Sequence, residues 1–162
     1  MGSIACAAPP PATAQVRPGI EVLVSDSMHL VQGKRLGLLS NHTGIDRQGR
    51  RDVDVLVARG LRLTALFTPE HGFTGVQDEL NVNSTTVLLN GREVPVHSLY
   101  NGGIAGMRPK ETDLMGLDAL LFDIQDIGAR FYTYVATMAM ALEEAAKLGI
   151  PFYVLDRPNP LN

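Results

Sequence analysis

Apolar residues along the chain gather into short continuous runs, separated by stretches in which they recur every third or fourth position. The runs cover residues 36–40, 61–68, 95–99, 117–124 and 150–155. Short, wholly apolar runs predict strands buried on both faces. Between them, Ile20, Leu23, Val24, Met28 and Val31 fall at helical spacing and predict a first helix that Gly33 ends. Val53 and Val57 predict a second helix stopping near Gly60. Pro109 opens a short helix with Glu111 in its first turn. Residues 132–148, rich in Ala, Met, Leu and Glu and followed by Gly149, give the clearest helix. Residues 74–90, rich in Asn, Thr and Gly, receive no assignment. Strands alternating with helices predict an α/β fold: an open, mostly parallel sheet with helices on both faces.

The polar residues follow this pattern in a particular way. Asn41 and His42 come directly after the first run, and Glu70 and His71 after the second. Asp123, Gln125, Asp126 and Arg130 follow the fourth, and Asp156, Arg157 and Asn159 the last. In an open parallel sheet these positions share the carboxyl edge of the strands, where loops converge and helix N-termini point inward. Each residue also has a plain structural reading. Asn41 and Thr43 suit a turn or cap. His42 suits a bond to a backbone carbonyl. Glu70 suits a surface charge beside Pro69. Asp123 and Asp126 suit helix caps, and Arg130 an ion pair with either. Asp156-Arg157 before Pro158 suits a rigid exit turn. Phe131, Tyr132 and Tyr134 suit packing.

Composition narrows the chemistry. A chain of 162 residues suits one domain, with 45% hydrophobic and 19% charged residues. It can bury roughly two-thirds of its unfolded surface without a disulfide or metal staple. The formal net charge is -3 and the cations are scattered, so nucleic acid is not an expected partner. No apolar run reaches the ~20 residues of a membrane span. No Gly-x-Gly-x-x-Gly follows the first strand and no Walker motif occurs, so neither a dinucleotide nor a nucleotide cofactor is expected. No Cys/His spacing matches a zinc site, and no Gly-x-Ser-x-Gly elbow is present. Carboxylates, histidines and an arginine around a cleft remain. That set suits hydrolysis of a glycosidic bond, or plain sugar binding.

Residues 1–18 read as a flexible leader, with Ala- and Pro-rich sequence and no periodicity. The stretch around Cys6, the one cysteine, looks like the end of a secretory signal and loosely like a lipid-acylation site. Export to the periplasm or the exterior is the expectation, with a lipid anchor at Cys6 as one form of it and a cytoplasmic protein as the alternative.

Five motifs in order carry a resemblance. They are Leu39-Ser40-Asn41-His42-Thr43-Gly44, Phe67-Thr68-Pro69-Glu70-His71-Gly72-Phe73, Val96-His97-Ser98-Leu99-Tyr100, the segment 122–134, and Leu155-Asp156-Arg157-Pro158-Asn159-Pro160. Together they resemble the NamZ-type exo-β-N-acetylmuramidases, glycoside hydrolase family 171, from about Gly19 to Asn162. The resemblance implies a Rossmann-like N-terminal lobe over residues 19–162 and a C-terminal lobe missing from this sequence. It implies release of N-acetylmuramic acid from non-reducing ends of peptidoglycan fragments, in a cleft between the lobes. A non-catalytic module binding muropeptides or other acidic sugars is the alternative. Residues 76–93 depart from the family's usual linker.

Mapped onto this sequence, the resemblance makes Glu70 the first choice for the catalytic carboxyl group, with His71 beside it and Asp126 as the second. Arg130 and Arg157 are candidates to clamp the substrate's lactyl carboxylate. Asn41, His42, Asp123, Tyr132, Asp156 and Asn159 complete the expected substrate contacts. All are expected around one sugar-sized hollow. A sheet whose last strand loses its neighbour is further expected to expose an apolar patch there.

Overall fold

The computed structural model describes residues 16–72, 84–101 and 104–161. Cys6, most of the leader, Phe73, residues 76–83 and the Gly102-Gly103 pair lie outside the described residues. Along the chain run α1 (Gly19–Asp26), a 3-10 turn (Met28–Leu30), β1 (Arg35–Ser40), α2 (Asp52–Ala58), β2 (Arg62–Thr68), β3 (Thr85–Leu89), β4 (Arg92–Ser98), a second 3-10 turn (Ile104–Met107), α3 (Glu111–Leu114), β5 (Ala119–Asp123), α4 (Tyr134–Lys147) and β6 (Phe152–Val154).

The six strands form one sheet in the order β3-β4-β2-β1-β5-β6. All neighbours are parallel except β3 and β4. The α/β fold with a mostly parallel sheet matches the pattern of apolar runs. Successive side chains of β1 point to opposite faces, and each face carries its own core. Leu36 and Leu38 pack with Ile20, Leu23, Val53 and Leu56 of α1 and α2. Leu39 packs with Phe67, Leu114, Tyr134, Ala141 and Ala145, beneath α3 and α4. Burying one such leucine contributes about 1.5–3 kcal/mol, so β1 and β5 form the rigid floor on which the loops stand.

Two elements differ from the pattern. The first helix does not run unbroken to Val31: α1 stops at Asp26, and a 3-10 turn takes over after Ser27. The unassigned stretch contains β3, joined to β4 by Asn90-Gly91. Both turn residues have positive φ, 48° and 78°. Positive φ at both central positions is the geometry of the tightest hairpin turn, and Asn-Gly is its preferred dipeptide.

β6 is a three-residue edge strand, and apolar side chains stand exposed around it. Phe131 is 87% exposed, Leu161 72%, Val135 53% and Val154 52%. Apolar surface beside an open strand edge favours association. The chain is therefore expected to self-associate as its concentration rises, read as a growing mass in light scattering. A monomer at all concentrations would count against this. No described helix is long and apolar enough to cross a membrane.

Candidate active site

The chain leaves β1 towards β2 on one side, while β5 is added on the other, so the sheet order reverses between β1 and β5. Loops diverge above such a point and leave a crevice at the carboxyl ends of the strands. Ser40 and Asp123, the last residues of β1 and β5, are register partners there.

Beneath the crevice lies a buried polar network. Asp52 is 1% exposed and Asp123 is fully buried. The Ser40 hydroxyl bonds to the Asp52 carboxyl and lies 3.1 Å from the Asp123 carbonyl. Asp52 also accepts from the Val53 N–H at 2.7 Å. Arg157 donates from Nε to Asp123 at 2.6 Å and from Nη1 to the Ile45 carbonyl at 3.1 Å. Burial, with the Asp123 charge adding to it, pushes the Asp52 carboxyl up to about 8. Burial raises Asp123 too, and its bond to Arg157 opposes that rise. Gly44 closes over the network. A Cβ there would lie 2.2 Å from both Asp52 Oδ2 and Ser40 Oγ. Gly44→Ala is therefore expected to destabilise the fold by about 1–3 kcal/mol, as overpacking does, read as a lowered denaturation midpoint.

A second cluster surrounds Glu70, which the Pro69–Gly72 turn sets beyond the end of β2. His71 in that turn has φ of 69°. The Thr133 hydroxyl, at the N-terminus of α4, donates to Glu70 at 2.7 Å. The neighbouring Glu70 carboxylate raises the Tyr100 hydroxyl above its ordinary value, so the phenol holds its proton more tightly. Tyr134 feels the Glu70 charge as well. Its hydroxyl is raised mainly by burial and then by Tyr132, whose ring meets it edge-on at 4.7 Å. Asn41 reaches the same place from β1. Thr43 orients its side-chain oxygen through N–H and hydroxyl bonds of 2.9 and 2.6 Å. Gln125 N–H in turn holds the Thr43 hydroxyl at 2.9 Å. The Asn41 amide nitrogen is buried, and the nearby Tyr134 hydroxyl does not complete a well-formed bond to it.

A hollow of about 630 Å³ opens between α4 and β6. Among the described residues its walls include Asp126, Arg130, Tyr132, Asp156, Arg157 and Asn159, but neither Glu70, His71, Asn41, His42 nor Asp123. Thr133 turns towards Glu70 while Tyr132 and Tyr134 face the hollow, so this segment links the Glu70 cluster to the wall of the hollow. Arg130 is exposed, whereas Arg157 is 8% exposed at its side chain and committed to Asp123. Asp126 accepts from the Gly128 N–H at 2.9 Å, Asp156 from the Arg157 N–H, and Asn159 from the Leu161 N–H. His42 is exposed in the loop after β1.

Five buried side-chain atoms of the described residues lack a hydrogen-bond partner: Asn41 Nδ2, Thr68 Oγ1, Asp123 Oδ2, Asp126 Oδ1 and Arg157 Nη2. All five lie at or just beyond the carboxyl ends of β1, β2, β5 and β6. Native interiors hold few such atoms, so their concentration along one edge is a functional signal. Sequence reading missed Ser40, Asp52, Tyr100 and Thr133. Asp52 opens an apolar helix, where an aspartate reads as ordinary first-turn charge. Tyr100 and Thr133 gain meaning only through Glu70. No group of three or more His, Cys, Asp or Glu among the described residues is placed to hold a metal ion.

Comparisons with known proteins agree with this architecture. Residues 36–162 match the family described as Exo-beta-N-acetylmuramidase NamZ, N-terminal. The peptidoglycan beta-N-acetylmuramidase NamZ of Bacillus subtilis (strain 168) is 45% identical over 148 residues, covering 90% of this chain and 34% of that protein. Two DUF1343 family proteins of Bacteroides fragilis NCTC 9343 have similar crystal structures. One has a TM-score of 0.75 at 40% identity, covering 90% of this chain and 35% of its own. The other has a TM-score of 0.70 at 31% identity, covering 91% and 36%. The chain therefore spans about a third of the length of these relatives. The resemblance carried by the five motifs is borne out: the chain belongs to the NamZ exo-β-N-acetylmuramidase family and matches its N-terminal part.

Proposed function

We propose that this chain forms the acid-bearing lobe of a glycosidase that releases N-acetylmuramic acid from the non-reducing ends of peptidoglycan fragments. The row of unpartnered buried polar atoms along the carboxyl edge is the observation that carries the reading. A sugar with hydroxyl, acetamido and carboxylate groups offers both donors and acceptors to such an edge. Glu70 is the general acid in this reading, protonating the leaving oxygen. Its carboxyl group is held by the Thr133 hydroxyl, with Tyr100 beside it. Asp126 is the second carboxyl group, with one buried oxygen unpartnered. Arg130, exposed on the wall of the hollow, meets the lactyl carboxylate, because Arg157 is engaged by Asp123. Asn41, His42 and Asn159 bond sugar substituents. A role in cell-wall turnover outside the cytoplasm, with export through the leader, completes the proposal.

Glu70 is not among the walls of this hollow, which favours a second reading, in which this part of the protein binds muropeptides without cleaving them. One experiment separates the two. A protein of the relatives' length carrying this sequence is incubated with 4-nitrophenyl N-acetyl-β-muramide and with a peptidoglycan disaccharide. Release of N-acetylmuramic acid from both supports the glycosidase. Calorimetric binding of the sugar without turnover supports the binding module, and neither heat nor turnover rejects both.

A further inference from the structure

We propose that Asp52 is a positioning residue of the candidate site: a buried carboxylic acid that keeps its proton and, through Ser40, fastens the 41–45 loop to the end of β5. The proposal rests on the carboxyl edge being the sugar site.

Counting protons favours Asp52 as the neutral partner. The Ser40 hydroxyl has one hydrogen but three oxygen neighbours: the Asp52 carboxyl, the Asp123 carbonyl and the Asn41 carbonyl. Carbonyls only accept. If Asp52 were ionised, the single hydroxyl hydrogen would serve one neighbour and leave the other two oxygen contacts of Ser40 without one. A protonated Asp52 serves both closer contacts, donating to Ser40 Oγ while Ser40 donates onward to the Asp123 carbonyl, and the more distant Asn41 carbonyl accepts from the Gly44 N–H instead. The charges agree. Asp52 and Asp123 are both buried and the Asp123 charge is felt at Asp52, while Arg157 spends its Nε on Asp123 and its Nη1 on Ile45. Asp52 joins no ion pair among the described residues. The charged groups facing it are Asp123, Arg157 and Arg51, and Arg51 is paired with Asp54.

The network holds the groups that a ligand would meet. Asp52 N–H donates to the Gly44 carbonyl at 2.7 Å, and Gly44 N–H to the Asn41 carbonyl at 3.0 Å. Arg157 grips the same loop at Ile45. Asn41 presents its unpartnered amide from this loop, and Thr43 fixes that amide's orientation. Ionising Asp52 would set a second charge beside Asp123, compete for Arg157 and remove the hydrogen that bridges to Ser40. The loop would loosen, and the Asn41 amide with it.

The test follows the Asp52 carboxyl carbon by NMR in this chain, assigned through its own backbone so that no variant is required. It is paired with calorimetry of N-acetylmuramic acid at about pH 6.5 and about pH 9, on either side of the expected titration. The Asp52 signal is expected to titrate in the neutral-to-alkaline range, and affinity to fall ~10-fold between the two conditions. Asp52→Asn keeps a donor towards Ser40, and keeps His42 and His71. It is expected to bind equally at both pH values. An Asp52 signal titrating in the ordinary carboxylate range overturns the proposal. Titration as expected with pH-independent affinity overturns the positioning role and leaves the sugar site standing. Titration as expected with no binding heat at any pH overturns the sugar site, and the positioning role with it.

Discussion

Glutamine at position 70 is expected to lower turnover of a peptidoglycan disaccharide by about 10²–10⁴-fold, the usual contribution of a positioned proton donor. The substitution keeps the local structure. The side-chain carbonyl of glutamine accepts from the Thr133 hydroxyl as Glu70 does, and the turn before it is unchanged. What disappears is the transferable proton. That makes the loss depend on the leaving group. A sugar hydroxyl leaves poorly as an anion and needs protonation, whereas 4-nitrophenolate leaves readily without it. The variant should therefore lose much less on the chromogenic substrate than on the disaccharide. Equal losses on both substrates would assign Glu70 to binding or to folding, and an unchanged rate would remove it from the mechanism.

Replacing Arg157 with leucine is expected to cost about 3–5 kcal/mol of stability, the typical penalty for leaving a buried charge without its partner. Asp123 is fully buried, and Arg157 is the cation bonded to it. Leucine fills part of the space but supplies neither the charge nor the bond to the Ile45 carbonyl. The loss should vary with pH. Arg157 is what opposes the burial-driven rise of the Asp123 pKa, so without it that pKa climbs further above the unfolded value. A carboxyl group whose native pKa is raised binds a proton that the unfolded chain has shed, and stability falls as pH rises. The variant should lie nearest to the parent in acid and fall away towards neutral pH. Denaturant titrations at several pH values would show this. A constant difference would mean that packing, not charge, is what Arg157 provides.

Much of this architecture is legible in the chain itself. Buried parallel strands declare themselves as apolar runs because both faces need apolar side chains, and residues 36–40 and 117–124 are of this kind. Strand β3, the hairpin partner of β4, escapes the same reading. β3 alternates weakly and is largely exposed, so its apolar positions are too few to mark a strand, although Asn90-Gly91 announces the turn. The carboxyl edge is legible as well, because polar residues follow strand ends there. Their pairing is not. Asp123 and Arg157 lie 34 residues apart, and which arginine neutralises which carboxylate is decided by the course of the chain after β6. Nor does Asp52 announce itself. At a helix start it looks like an exposed first-turn acid, and only the closeness of Gly44 and Ser40 buries it.

The distance along the chain between Ser40 and Asp123, 83 residues, has a consequence for how the protein is made. β1 and β2 can pair as soon as both have left the ribosome, but β5 emerges much later, and until it docks the floor of the crevice is open to water. A nascent Asp52 is ionised in that state, as any hydrated aspartate is at neutral pH. With Asp52 neutral as proposed, docking of β5 draws a proton from the surroundings, so this step of sheet assembly, before β6 joins, is also an acid–base event. Refolding in weakly buffered solution should make the medium slightly more alkaline, and should proceed faster on the acidic side of neutrality.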